Sequence, residues 1–123
     1  MDLYKTALTL FKSRDINIKN CRVSNCDRYA IAIKDSNNII INNLFSRAQQ
    51  FCSIISSKNI NFENCEGIEL LHNPIKITTH YSVEQQDFIS TSDVIFKNCV
   101  IKINKKDAFG NYISMGGRLK PGT

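Results

Sequence analysis

The sequence predicts an all-β solenoid of stacked parallel strands, and three observations carry that expectation. A nine-residue phrase recurs four times: SRDINIKNC from Ser13 to Cys21, SNNIIINNL from Ser36 to Leu44, SKNINFENC from Ser57 to Cys65 and, more loosely, TSDVIFKNC from Thr91 to Cys99. Within each copy the apolar residues alternate, as Ile16 and Ile18, Ile39 and Ile41, Ile60 and Phe62, Val94 and Phe96. A period of two means a strand with one buried face, and β-branched side chains suit a pleated surface. The third observation is an asparagine at the eighth position of every copy: Asn20, Asn43, Asn64 and Asn98. In stacked copies these amides fall one above another where the chain turns a corner. There they can hydrogen-bond along the coil axis, as in other side-chain ladders.

One strand per repeat cannot bury its own apolar face, so copies of this length are stabilised by stacking in register. The stack is expected to be parallel, with neighbours about 4.8 Å apart. Successive copies start 23, 21 and 34 residues apart. The last interval therefore carries an insertion of about a dozen residues over a rung of roughly two dozen. At 123 residues the chain is expected to be one domain, 1–123, a coil of about five rungs. Aromatic residues are only 9% and Trp is absent, so Ile, Leu, Val and Cys must fill a narrow interior.

Taken in order, residues 1–12 belong to a rung that precedes the first phrase. Leu8 and Leu10 stand before Ser13 as Ile31 and Ile33 stand before Ser36, and as Ile54 stands before Ser57. Each rung thus gains a second strand that ends just ahead of the phrase. In the first rung, 13–35, it is Tyr29–Lys34; in the second, 36–56, it is Phe51–Ile55. Between the two strands, Asn25–Arg28 and Ser46–Gln50 read as the loop side of the coil. The third rung, 57–90, is irregular, with an inserted loop at about 66–87. Glu66–Pro74 breaks the pattern, Pro74 excludes an interior ladder position, Ile75–Thr79 resumes the alternation, and the polar His80–Asp87 protrudes. The last rung runs from Thr91 to Ile103, turns through Asn104–Asp107 and returns as Asn111–Met115, with a loose tail at about 116–123.

Three of the five cysteines, Cys21, Cys65 and Cys99, share one slot that Leu44 fills in the second copy. The slot is an apolar core position where cysteine acts as a small hydrophobe. Cys21 and Cys65 are two rungs apart, about 9.6 Å, too far for a disulfide. Cys26 and Cys52 lie outside the ladder as free thiols. No CxxC or Cys/His spacing suggests zinc, and no cofactor is implied. Reduced cysteine fits a cytoplasm. Ala7–Phe11 is too short for a secretory core, and no apolar run reaches membrane-spanning length. A cytoplasmic or virion-associated location is expected, with no membrane partner. The net charge of +5 is spread along the whole chain, which reads as a solvated surface, with an anionic glycan as the functional alternative, and not as a nucleic-acid footprint.

Through the isoleucine alternation and Asn20, Asn43, Asn64 and Asn98, residues 6–115 resemble the right-handed parallel β-helix of the pectin-lyase-like superfamily, whose rungs carry such alternation and inward asparagine ladders. The resemblance implies a right-handed coil and a polysaccharide partner. The superfamily includes polysaccharide lyases, polygalacturonase-like hydrolases, epimerases and bacteriophage tailspikes. Their motifs Asn-Thr-Asp, Gly-Asp-Asp, Gly-His-Gly, Arg-Ile-Lys and Arg-x-Pro-x-x-Arg do not occur, so no catalytic residue carries over by matching.

Between the second apolar residue and the asparagine, the outward position reads Lys19, Asn42, Glu63 and Lys97. Stacked on a flat sheet, this is a polar column along which a sugar chain could lie. His72, His80 and Tyr81 of the insertion complete the candidate glycan-binding set. Glu63 and Lys97 become cross-strand neighbours if the insertion loops out, a surface pair worth about 0.2–1 kcal/mol. Glycosidic cleavage needs two carboxyls about 5 to 9.5 Å apart, and stacking could bring Glu63 or Glu66 near Glu84 or Asp87, the catalytic candidates. The competing reading of these acids is an ordinary polar loop, and of the two histidines surface residues and not a metal pair. The function expected is a glycan-recognising module, similar to part of a tailspike or a carbohydrate-active protein. The alternatives are a polysaccharide lyase or glycoside hydrolase using the acids of 66–87, and a structural spacer or truncated remnant. A homotrimer, or further rungs of a parent chain, would cover the exposed strand edges at the coil ends.

Overall fold

The computed structural model describes residues 4–70, 74–82, 87–103 and 113–117. Among them run ten strands: β1 (Tyr4–Phe11), β2 (Arg14–Lys34), β3 (Asn37–Ile55), β4 (Lys58–Glu63), β5 (Glu66–Leu70), β6 (Ile75–Ser82), β7 (Asp87–Ile89), β8 (Ser92–Lys97), β9 (Val100–Ile103) and β10 (Ile113–Gly117). They wind into a three-sided parallel coil. On the phrase side the registers Ile16↔Ile39↔Ile60↔Val94 and Ile18↔Ile41↔Phe62↔Phe96 stack the four copies without slippage. On the second side the strand ahead of each phrase stacks five deep, as Leu8↔Ile31↔Cys52↔Ile75↔Ile113. Three full turns separate the first phrase from the fourth.

The third side corrects the sequence reading. Asn25–Arg28 and Ser46–Gln50 are strand, not loop, because β2 and β3 run unbroken for 21 and 19 residues. Here Val23↔Ser46↔Gly67↔Ile101 and Arg22↔Phe45↔Glu66↔Val100 stack in register. The inward residues of this side mix Val23, Leu70 and Ile101 with the small Ser46, Ala48 and Gly67, so the regular alternation that marks the other two sides is hidden. Gly67 is small for a reason: a Cβ there would sit 2.9 Å from Phe51 Cδ1 and 3.3 Å from Ser46 Oγ. Residues 66–70 are thus part of the regular coil. The departure from it comes later, where β6 and β7 pair antiparallel as His80↔Ile89, Tyr81↔Phe88 and Ser82↔Asp87. Pro74 lies just before β6 and its carbonyl accepts the N–H groups of Phe51 and Cys52, at 2.7 and 3.1 Å. β10 runs to Gly117 against β6, past the expected start of the tail, while Asn104–Asp107 lies outside the described residues.

Corners are made by residues with positive φ, and they too stack. The eighth phrase position is one column: Asn20, Asn43, Asn64 and Asn98, at φ 54–60°. The third position is another, Asp15, Asn38, Asn59 and Asp93; a third column, Lys12, Asp35 and Ser56, precedes the first three phrases. Asn and Asp tolerate this conformation because their short polar side chains bond locally. Asn43 Nδ2 donates to Asn20 Oδ1 at 2.7 Å, while Asn59 Nδ2 donates to Asn38 Oδ1 at 2.7 Å and Asn38 Nδ2 to Asp15 Oδ1 at 3.0 Å. These ladders face solvent. The inward ladder implied by the superfamily resemblance is therefore corrected: at these corners the left-handed residue points out, and the next residue, Cys or Leu after the eighth position and Ile or Val after the third, points in.

Inside, the core is Ile31, Ile33, Ile39, Ile41, Ile54 and Ile60, joined by Leu44, Leu70, Phe51 and Phe62, all essentially inaccessible. Phe62 stacks on Phe96 with centroids 4.8 Å apart and meets Phe51 at 5.6 Å. The first phrase position builds a hydroxyl ladder that the sequence reading left unexplained. Ser36 Oγ accepts the N–H of Ser13 and donates to the Lys34 carbonyl; Ser57 Oγ does the same for Ser36 and Ile55; Thr91 Oγ1 accepts from Ser57 and donates to Thr78. Backbone groups that a corner would orphan are satisfied this way, which buried chain requires. None of the five cysteines is in a disulfide; Cys65 is buried in the shared slot, and Cys26 and Cys52 are buried outside it.

Candidate functional site

On the phrase side the outward residues between the two asparagine-bearing corners form two rows. Lys19↔Asn42↔Glu63↔Lys97 is one and Asn17↔Ile40↔Asn61↔Ile95 the other. Register, set by the isoleucines on the opposite face, gathers residues that are far apart in sequence. Asn42 Nδ2 donates to Glu63 Oε2 at 3.4 Å, and Asn61 Nδ2 to Asn59 Oδ1 at 3.3 Å. Lys97 lies opposite Glu63, but the expected ion pair is not among those formed by the described residues, which are Arg14–Asp15 at 3.8 Å and Arg47–Glu69 at 3.4 Å. Ile40 and Ile95 present apolar surface in the middle of this face, 39% and 53% exposed. Arg14, Asn37, Lys58 and Ser92 form a further row just ahead of the first corner.

Glu66 is separated from Glu63 by the corner at Asn64 and belongs to the row of Arg22 and Phe45 on the third side. The two acids thus open onto different sides of the coil. His80, Tyr81 and Asp87 lie on the β6–β7 pair, of whose side chains nothing further is described; His72 and Glu84 lie outside the described residues.

The third side holds what sequence reasoning missed. A depression of about 250 Å³ is lined by Asn25, Asp27, Arg47, Gln49 and Glu69, together with Cys26 and Ala48. It shares Arg47 with a second of about 260 Å³ that includes Arg22 and Phe45. Adjoining at Arg47, they make a trough that follows the strands of this side, from 22–24 and Phe45 to 25–27 and Gln49, and so runs across the coil axis. The Arg22 guanidinium lies 4.4 Å above the Phe45 ring, a cation–π contact. Arg47 and Glu69 are both more than half exposed, so their ion pair contributes little to stability. Asp27 Oδ1 is buried at the trough wall without a hydrogen-bond partner, and Ser46 Oγ is likewise unpartnered behind it. No shared phrase position links Asp27, Arg47 and Glu69, so nothing in the repeat could have announced them.

Residues 2–119 match the family described as the right handed beta helix region. No curated protein and no solved structure matches the chain.

Proposed function

The chain belongs to the right-handed β-helix family, and from that premise we propose that it is a glycan-recognising module whose binding face is the outer surface of the phrase side. The observation that carries the reading is the in-register row Lys19, Asn42, Glu63 and Lys97. A polysaccharide is a repeating ligand, and this face repeats its polar groups at the strand spacing of about 4.8 Å. Side-chain amides both donate and accept, which suits vicinal hydroxyls. Exposed Ile40 and Ile95 offer apolar ground for the C–H face of a sugar ring. On this side Arg14, Lys19, Lys58 and Lys97 stand against Asp15, Glu63 and Asp93, a small basic excess that favours an anionic chain. A flat, partly wet face of this kind fixes orientation through many weak contacts and not through one deep pocket.

The test is incubation with a panel of bacterial capsular and plant acidic polysaccharides, following both retention of the protein and the size of the glycan. Retention with the glycan intact is the expected result. Shortened chains would favour a second reading, a polysaccharide lyase or hydrolase. That reading rests on Asp27 and Glu69 lining one depression beside Arg47, and loss of shortening in Asp27→Asn and Glu69→Gln would establish it. Neither retention nor shortening would leave the chain a structural spacer.

A further inference from the structure

Cys65 and Cys99 stand apart from the other cysteines in sharing one slot of adjacent rungs, although the buried Cys52 is close enough to feel both of them. Cys21 stacks on Leu44, Cys26 on Ala48, and Cys52 lies between Ile31 and Ile75. Cys65 and Cys99 fall in the same slot of consecutive rungs: Glu63 pairs with Lys97 and Glu66 with Val100. Around them Asn64 N–H bonds to the Lys97 carbonyl and Val100 N–H to the Cys65 carbonyl, both at 2.9 Å. Each follows an asparagine of matching positive φ, 55° at Asn64 and 54° at Asn98, so the two backbones superimpose from rung to rung. Each thiol also donates to the carbonyl two residues back, Cys65 to Glu63 at 3.3 Å and Cys99 to Lys97 at 3.5 Å. The side chains therefore point the same way. Neighbouring parallel strands are about 4.8 Å apart, inside the Cα separation of about 4.4–6.8 Å that a disulfide spans. Side chains that leave superimposed backbones in the same direction keep their Cβ atoms about 4.8 Å apart as well, just beyond the roughly 3.5–4.5 Å of a bridge. Closure therefore needs a rotamer change and a small approach of the outer rung, which among the described residues is held on one edge only at this level.

We propose that Cys65 and Cys99 are a thiol pair that a small-molecule disulfide oxidises to an intrachain bridge, fastening the last phrase rung to the one before it. Cys99, half-buried at the outer copy, is the accessible partner, whereas Cys65 is 2% exposed. The Cys99 thiolate attacks one sulfur of the small disulfide and expels one small thiol, leaving a mixed disulfide. The Cys65 thiolate then attacks Cys99 Sγ, expels the second small thiol and forms the Cys65–Cys99 bond. Two protein thiols lose two electrons and two protons, and one small disulfide gains them. Burial pushes the Cys65 thiol up to about 11, with Cys99 adding to the rise; the order of attack follows from access, Cys99 meeting the small disulfide first and the enclosed Cys65 resolving the mixed disulfide. The bridge closes the segment between the third and fourth phrase copies into a covalent loop, so fraying of β8 and β9 from β4 and β5 is suppressed.

The full chain, reduced and then incubated with glutathione disulfide, tests this by non-reducing peptide mapping and a thermal melt. The expected result is a peptide pair joining Cys65 to Cys99, an intact mass lower by two hydrogens, and a Tm raised by several degrees. In Cys99→Ala both changes should vanish; in Cys65→Ala a glutathione adduct should persist on Cys99. An adduct on Cys99 that persists in the unsubstituted chain would overturn the proposal. So would a bridge that includes Cys21, Cys26 or Cys52, or failure to oxidise at all.

Discussion

The two middle copies of the phrase and the two outer copies are spelled almost alike, yet they live in different surroundings. Ile39, Ile41, Ile60 and Phe62 are fully buried, whereas Ile16, Ile18, Val94 and Phe96 each keep part of their surface accessible. The same holds at the shared slot, where Leu44 and Cys65 are buried and Cys21 and Cys99 are half-buried. A middle strand is covered on both edges by in-register neighbours; among the described residues an outer phrase strand is covered on one. What differs is therefore the number of interfaces and not the residues. In a coil whose stability is a sum of rung and nearest-neighbour terms, the same substitution should cost unequal amounts according to its level.

The aromatic stack gives the largest contrast. Phe62 touches Phe51 on one side and Phe96 on the other; Phe62→Ala should lose about 3–5 kcal/mol in denaturant unfolding, and Phe96→Ala roughly half as much. Equal losses would break the comparison, because they would mean the outer rung is as enclosed as the middle one. The hydroxyl ladder gives a smaller contrast. Ser57 Oγ satisfies the Ser36 N–H and the Ile55 carbonyl in a buried setting, so Ser57→Ala should cost about 1–3 kcal/mol. Ser13 Oγ donates only to the Phe11 carbonyl, in an exposed bond, so Ser13→Ala should stay within about 0.5 kcal/mol. A matched pair of denaturation curves sharpens or removes that difference.

The contrast also shows which parts of the molecule the sequence could announce. The strand register was readable because the isoleucine pairs recur at fixed phrase positions, and a one-residue slip would turn every one of them outward. The same register gave the row Lys19, Asn42, Glu63 and Lys97. The eighth-position corner was readable because asparagine is written there four times. The third-position corner is written just as plainly, as Asp15, Asn38, Asn59 and Asp93, but Asn and Asp ahead of a strand suit an ordinary turn equally well, so the spelling alone does not mark a left-handed corner. The corner before the first three phrases uses Lys12, Asp35 and Ser56, three unlike residues, so only the backbone reveals it. The third side stayed hidden because Ser46, Ala48 and Gly67 face inward where large apolar residues were sought. With that side unseen, the trough of Asp27, Arg47 and Glu69 had no address in the repeat.

The two faces that emerge, one flat and laddered, one concave and assembled from unlike residues, make competing claims on a glycan. Affinity electrophoresis through a gel containing a retained acidic polysaccharide decides between them, using Asn42→Ala and Lys97→Ala against Arg47→Ala. The account predicts that the first two weaken retention about tenfold or more in apparent Kd, about 1.4 kcal/mol, while Arg47→Ala migrates like the unsubstituted chain. Retention lost in Arg47→Ala and kept in Asn42→Ala and Lys97→Ala would contradict it, and would move the binding site to the trough.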